Sequence, residues 1–328
     1  SIDNSYHLNE IHAIATTGCY SPVGISVYPT VPGYGSTAAG FYPAAWHVIC
    51  ALVCNVLSVS AAVAINAVNF TFVAFVFPMG CFAFLSVIAK KKTCLALGAL
   101  VCISAYTFPW RLLTFGVLYS NLAAFCLVCS VCSVFMCLTS GESPSIQERL
   151  LLSILFIVGL IDLFLLQPNG VFSVGVLMLP YAVSRLYAFC VARNLSPFKS
   201  IAAASGLFVC FVIAWIVAYN LPMMRGVVGV SWNHYTSASQ MLVNYLFQSF
   251  SPDAPSNLVL GLFVLVGLYF TLQRRELRWM SISYFLSLVI HFSTGATEAV
   301  FKPWFAGFWY TDPYRTATLC LSLIHISE

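Results

Sequence analysis

The sequence predicts an all-α fold, a polytopic bundle of transmembrane helices, on three observations. Of its 328 residues 60% are apolar and only 7% are charged, whereas a soluble globular chain is nearer half apolar and a quarter charged. The apolar residues gather in runs approaching the roughly 20 residues that a helix needs to cross about 30 Å of hydrocarbon. The cations cluster between those runs. A soluble enzyme, a disordered chain and a DNA-binding domain are excluded, because 14 Lys and Arg spread over this length form no phosphate-tracking stripe. The expected partner is the lipid bilayer, with no nucleic acid.

Residues 1–43 form a polar, Gly/Pro-rich first outer loop without a signal-type apolar segment. A chain that opens inside such a loop is expected to have a further helix upstream. The apolar stretch 44–64 follows, and then eight candidate spans at 67–89, 93–108, 112–138, 150–166, 171–191, 200–219, 257–273 and 277–293. Basic clusters lie at Lys90-Lys91-Lys92, at Arg193 with Lys199, and at Arg274, Arg275 and Arg278. Cytoplasmic loops are rich in such residues. Keeping all three clusters on one side makes 44–64 a juxtamembrane helix lying along the interface and demotes 238–250 to the same role. The bundle then covers 67–320, with outer loops at 220–256 and 294–316. Residues 321–328 resemble the translation of a sequencing adapter and are expected to be a scar without a functional role.

Sorting the charges by side gives a lopsided map. Ten cations fall on or near the inner face, and Arg111, Arg225, Lys302 and Arg315 on the outer one. Asp3, Glu10, Asp253, Glu298 and Asp312 lie outside, against Glu142, Glu148 and Glu276 inside. Inner cations follow from topology alone, so the outer charges carry the functional information. Most of the 13 cysteines fall in apolar runs, and Cys126, Cys129 and Cys132 recur at helical spacing beside small residues, as in close helix packing. Phosphate-binding, zinc-protease and dinucleotide motifs are absent from the sequence.

Two outer segments hold candidate chemistry. In a helical first loop Asp3 and His7 share a face, as do His7 and Glu10. The loop ends at Tyr42-Pro43-Ala44-Ala45-Trp46-His47, where His47 faces the same compartment as Asp3. Acid, imidazole and aromatic groups at a water–lipid boundary suit a lipid carrier's polar head group, or else form an ordinary solvated loop. The second segment, 298–315, sets Glu298, Lys302, Asp312 and Arg315 among seven aromatics that include Trp309. Aromatic faces stack on sugars and an arginine fork matches phosphate oxygens; the other reading is an aromatic belt with snorkelling cations. Asp162 lies within a span, where an acid suggests either function or snorkelling. His234 reads as a loop histidine, and His291 as buried and hydrogen-bonded.

Asp3 with His7, followed by Tyr42-Pro43 and Trp46-His47, resembles the first extracellular loop of the GT-C superfamily of polyprenyl-phosphate-sugar-dependent glycosyltransferases. Four stretches resemble more closely a family of uncharacterised multi-pass membrane proteins common in actinobacteria. They are Phe108-Pro109-Trp110 with 116–121, Gln167-Pro168-Asn169-Gly170-Val171-Phe172, the loop around Trp232 and Gln240, and Trp309-Tyr310-Thr311-Asp312-Pro313-Tyr314-Arg315. The resemblance implies a GT-C-like bundle in a bacterial plasma membrane. It also implies a site facing the exterior, a polyprenyl-phosphate sugar donor and a glycan or lipid acceptor of the cell envelope. It makes Asp3 the catalytic base and Arg315 and Lys302 the substrate-binding cations for the leaving phosphate, with Arg111 a third; the reading of the residues themselves adds His7, His47, Trp309 and Asp312 as substrate-binding candidates. A divalent cation is a possible cofactor, although Asn4 and Ser5 stand where such loops often carry a second acid. The alternative function is a transporter or flippase of a lipid-linked or sugar substrate, and a third reading is an inactive scaffold.

Overall fold

Proline, glycine and capping residues decide which apolar runs become continuous helices. The computed structural model describes residues 2–23, 41–89, 91–93, 95, 98, 102–140 and 145–324. Residues 24–40, Lys90, Glu142 and 325–328 of the sequence-based reading lie outside the described residues. The main helices are α1 (Ile2–Thr17), α2 (Ala45–Leu57), α3 (Ala61–Ile88), α4 (Tyr119–Leu138), α5 (Ile146–Leu166), α6 (Asn169–Ala192), α7 (Pro197–Asn220), α8 (Ala238–Leu246), α9 (Leu258–Gln273), α10 (Arg278–Gly295) and α11 (Pro313–Ile324). The described residues contain no strand.

Among the described residues five helices, α3 to α7, are long and apolar enough to cross a bilayer, where the sequence suggested eight spans. The differences have local causes. Residues 44–64 are not one helix: α2 stops at Ser58, which is left-handed at φ 54°, and Ser60 caps α3, so that helix begins at 61 rather than 67. Pro78 lacks the N–H that would bond four residues back. The preceding turn widens to a π-turn over Phe72–Val76, with Phe77 N–H reaching the Phe72 carbonyl, and the 28-residue helix continues. The described end of 93–108 is not a continuous helix, because Pro109 biases Phe108 away from helical angles. The segment 112–138 breaks at Gly116 (φ 62°) and Val117 (φ 51°), leaving α4 as its helical part. α9 has 16 residues and α8 only nine. α10 has 18 residues but buries Ser281, Ser283, Ser287 and His291, which turn its polar groups into the bundle. Ser283 Oγ–H donates to the Leu177 carbonyl at 2.7 Å, and His291 Nδ1 lies 3.0 Å from Thr316 Oγ1.

Close approach of small residues holds the long helices together, as expected where lipid gives no hydrophobic drive between spans. Gly80 on α3 faces Ser130 and the Cys126 carbonyl of α4 without room for a side chain. The buried Cys81 and Cys129 thiols lie 4.0 Å apart in the same seam. Up-and-down passage of α4 to α7 brings Tyr119, Gln167, Pro168 and Met223 to one end of the bundle. Asp162 is exposed on α5 and has no ion pair among the described residues.

Gly261 and Gly206 give a paired test of this packing. A Cβ on Gly261 would fall against the backbone carbonyl of Leu246, which cannot step aside, whereas Gly206 on α7 faces open space. Gly261→Ala is expected to cost about 1–3 kcal/mol of stability. Gly206→Ala is expected to be neutral or to gain up to about 1 kcal/mol from helix propensity. Thermal unfolding of the detergent-solubilised variants measures both, and equal melting temperatures would refute the contact.

Candidate functional site

At that end of the bundle Asp3 and His7 of the first outer segment and Asp312 and Arg315 of the second line one cavity of about 600 Å³. Asp3, Tyr6 and His7 come from α1, Tyr42 from the approach to α2, Phe115 to Asn121 from the start of α4, and Gln167 from the α5–α6 turn. Trp232, Tyr310, Asp312 and Arg315 close the other side. The acid of the first loop and the acid–arginine pair of the distant 298–315 segment therefore share one space.

The wall beside Asp3 is built on a histidine pair. His7 Nε2–H donates to the Val117 carbonyl at 2.9 Å, which leaves Nδ1 to accept from His47 Nε2–H at 2.8 Å. His47 is fully buried and its Nδ1 has no partner, so both rings are neutral. Burial lowers the His7 pKa, with partial compensation from the Val117 bond and from Asp3. Burial and the facing His7 push His47 down to about 3. Trp46 packs edge-on against both rings and anchors α2 to α3 through a 3.1 Å bond from its indole N–H to Asn69 Oδ1. Asp3 itself is exposed at the rim, one helical turn before His7, and its carboxylate lies where a side chain on Gly116 would stand.

Opposite Asp3, Arg315 Nε lies 3.3 Å from Asp312 Oδ2, but alignment is poor: Nε and Nη1 are buried with no hydrogen-bond acceptor. The guanidinium sits 4.1 Å above the Tyr310 ring. Asp312 is 2% exposed. Burial raises its pKa, partly offset by Arg315 and by the Tyr314 N–H bonded to Oδ1. Between the two walls, Ser120 Oγ and Asn121 Nδ2 are buried and unpartnered among the described residues. The cavity thus offers N–H and O–H groups whose hydrogen bonds the protein does not complete.

The backbone is strained beside these groups. Val117 and Thr311 are both β-branched and left-handed, at φ 51° and 49°, and Tyr310 is left-handed as well at 61°. Such residues cost of order 1–3 kcal/mol each and concentrate at functional sites. Val117 supplies the carbonyl that holds His7. Thr311 Oγ1 accepts from Trp232 N–H at 2.9 Å and donates to the Val230 carbonyl at 3.1 Å.

His47, Lys302, Trp309 and Arg111 do not line the cavity. His47 stands behind His7. Lys302, 2% exposed, bonds Glu298 at 3.2 Å and the Trp232 carbonyl, and so steadies the loop that carries Trp232. Glu298 also accepts from the His234 backbone N–H, and these partners hold its pKa near 2. Trp309 is fully buried and donates to Ser173 Oγ at 3.1 Å. Arg111 pairs with Asp253 at 2.7 Å and stacks on Phe115 and Tyr314. Sequence reasoning did not assign Tyr6, Ser120, Asn121 or Gln167 to the site. A Ser-Asn pair opening an otherwise apolar run was the available signal.

No three ligating side chains converge on a metal position among the described residues. The cavity's chemistry agrees: Asp312 is occupied by Arg315 and the Tyr314 N–H, and the cation beside it repels another. A divalent ion does not fit this donor set.

Fold and cavity together define a helical membrane protein with a polar cavity at one end of its bundle. The chain belongs to DUF6541, a family of unknown function, whose profile matches residues 1–324. No match arises among curated proteins or solved structures.

The histidine pair sets an acid limit on stability. Both folded-state pKa values lie below the unfolded value near 6.5. The pair's contribution is therefore complete above that pH and falls as the unfolded chain takes up protons that the folded rings refuse. Melting temperature is expected to drop between pH 6.5 and 4.5, and a His7→Gln/His47→Gln variant to show a shallower slope. An unchanged slope would refute the assignment.

Proposed function

We propose that the protein is a membrane glycosyltransferase of GT-C type that moves a sugar from a polyprenyl-phosphate donor to a cell-envelope acceptor. The supporting observation is the convergence of Asp3 with the Asp312–Arg315 pair on one aromatic-walled cavity. In this reading the cavity faces the cell exterior of a bacterial plasma membrane. That agrees with the positive-inside rule, because Arg274, Arg275 and Arg278 lie at the far ends of α9 and α10.

Asp3 accepts the proton of the acceptor hydroxyl as that oxygen attacks the anomeric carbon. The bond from the anomeric carbon to the phosphate oxygen breaks with inversion, and the electron pair leaves on polyprenyl phosphate. Arg315 lines the cavity with N–H groups that lack a hydrogen-bond partner among the described residues, and in this reading it stabilises the developing charge. Asn121, Ser120 and Gln167 offer hydrogen bonds to sugar hydroxyls, and Tyr6, Tyr42 and Trp232 offer ring faces. Lys302 acts through Trp232 as a positioning residue. No step requires a metal ion.

The test uses purified full-length protein with polyprenyl-phosphate mannose, glucose and arabinose, measuring release of polyprenyl phosphate. Asp3→Asn is expected to lower kcat by about 10²–10⁴-fold, and Arg315→Gln by about 10²–10³-fold. Lys302→Met is expected to raise KM more than it lowers kcat. Full activity in Asp3→Asn would remove the base. Donor binding without turnover would favour a transporter or flippase, and no binding of any donor would sink the glycosyltransferase reading.

A further inference from the structure

A second hollow lies on the flank of the bundle, between α6, α7 and α10. Its part nearer the cavity end encloses about 310 Å³ and is lined by Val176, Leu179, Phe208, Leu286 and Trp304, among other apolar side chains. A further 660 Å³ continues towards the opposite end, shares Leu179, Phe208 and Leu286 with the first part, and finishes at Ser184, Tyr187, Arg275 and Arg278. The two parts form one groove, apolar along its length and cationic at one end only. Little protein covers it, for α7 buries only Ser200 and Ala204.

Length and charge select the occupant. From Arg278 to Ile290 along α10 is 12 residues, or about 18 Å at 1.5 Å per residue. Half of the roughly 30 Å hydrocarbon core is similar, so the groove spans about one leaflet. Arg278 Nε–H is committed to the Leu272 carbonyl at 2.9 Å, which leaves its terminal nitrogens for a ligand, and Arg275 is exposed with no ion pair among the described residues. Glu276, the acid beside them, is exposed and does not line the groove. At the other end the groove is walled off from the cavity. Phe172 and Phe308 stack there at 3.6 Å with Trp215 edge-on at 4.7 Å, and the Trp215 indole N–H is held by the Trp304 carbonyl. A chain in the groove is therefore not the tail of a ligand in the cavity.

The geometry points to a binding site for an anionic glycerophospholipid. One acyl chain fills the groove and the phosphate sits between Arg275 and Arg278, in the leaflet that adjoins them. This assignment is independent of the sugar-transfer reading, since it uses neither Asp3 nor Arg315. Each arginine beside an anionic lipid surface contributes roughly fivefold in affinity, and a zwitterionic head group carries an ammonium that cancels its phosphate charge, so the pair favours an anionic lipid by about 25-fold.

Native mass spectrometry tests it, using full-length protein in dodecyl maltoside with equal amounts of dioleoyl phosphatidylglycerol and dioleoyl phosphatidylcholine. Wild-type protein is expected to retain one phosphatidylglycerol with the preference given above. Arg275→Gln, at an exposed position, is expected to lose about fivefold, and Arg275→Gln/Arg278→Gln to retain the two lipids within about twofold of each other. Ser205→Trp, which fills the groove from its exposed wall, is expected to retain neither. Equal retention of both lipids by wild-type protein, undiminished preference in Arg275→Gln, or unchanged retention in Ser205→Trp would each overturn the site.

Discussion

The candidate site depends on one partly buried hydrogen bond, from His7 Nε2–H to the carbonyl of Val117. It joins the first helix to a turn that follows it by 110 residues, and through His7 Nδ1 it also fixes His47 and hence α2. It is a polar tie between α1 and the turn before α4, on the same helix that carries Asp3 to the rim. The bond in turn demands the left-handed Val117 that aims the carbonyl, a conformation that the packing around Gly116 and Tyr119 must sustain. Neutral imidazoles are part of the same requirement, because a proton on either ring would have to be buried among Trp46, Tyr119 and Tyr42.

The opposite wall repeats the strategy with different groups. Thr311 is left-handed and buried, its hydroxyl holds both Trp232 and Val230, and Lys302 with Glu298 secures the Trp232 carbonyl from the other side. Strain on both walls falls on residues whose neighbours line the cavity. Here backbone geometry and side-chain chemistry were settled together, and the charged residues nearby divide into those that face the cavity and those that brace it.

Much of the architecture was legible in the sequence, because hydropathy and charge act over whole segments. The helical class, the apolar runs that became α3 to α7 and the grouping of charges at opposite ends follow from composition and spacing. What was not legible depends on single residues. Pro109 and Gly116 interrupted runs that composition alone would have kept whole, and Ser58 broke the expected helix 44–64, whose last residues joined α3 instead. At the site, most of the chain separates Asp3 from Arg315, and the sequence joins them only through topology and resemblance, with no local pattern to fix their geometry. Lys302 and Trp309 had the right chemistry but were turned to structural partners, which sequence cannot distinguish from exposure to a ligand.

The ion pair of Asp312 and Arg315 has a consequence for which ligands can leave. Two carboxylates, Asp3 and Asp312, line the cavity against one guanidinium, so its resting charge is negative by one when both acids are ionised. In the proposed reaction the donor is a phosphodiester with one negative charge, and the product is a monoester whose second ionisation lies near pH 6. The product thus acquires a charge that the donor lacked, and once Asp3 releases the proton it has taken, the lining again carries an excess of the same sign. That balance repels the dianionic spent carrier more strongly than the monoanionic donor, without any moving part.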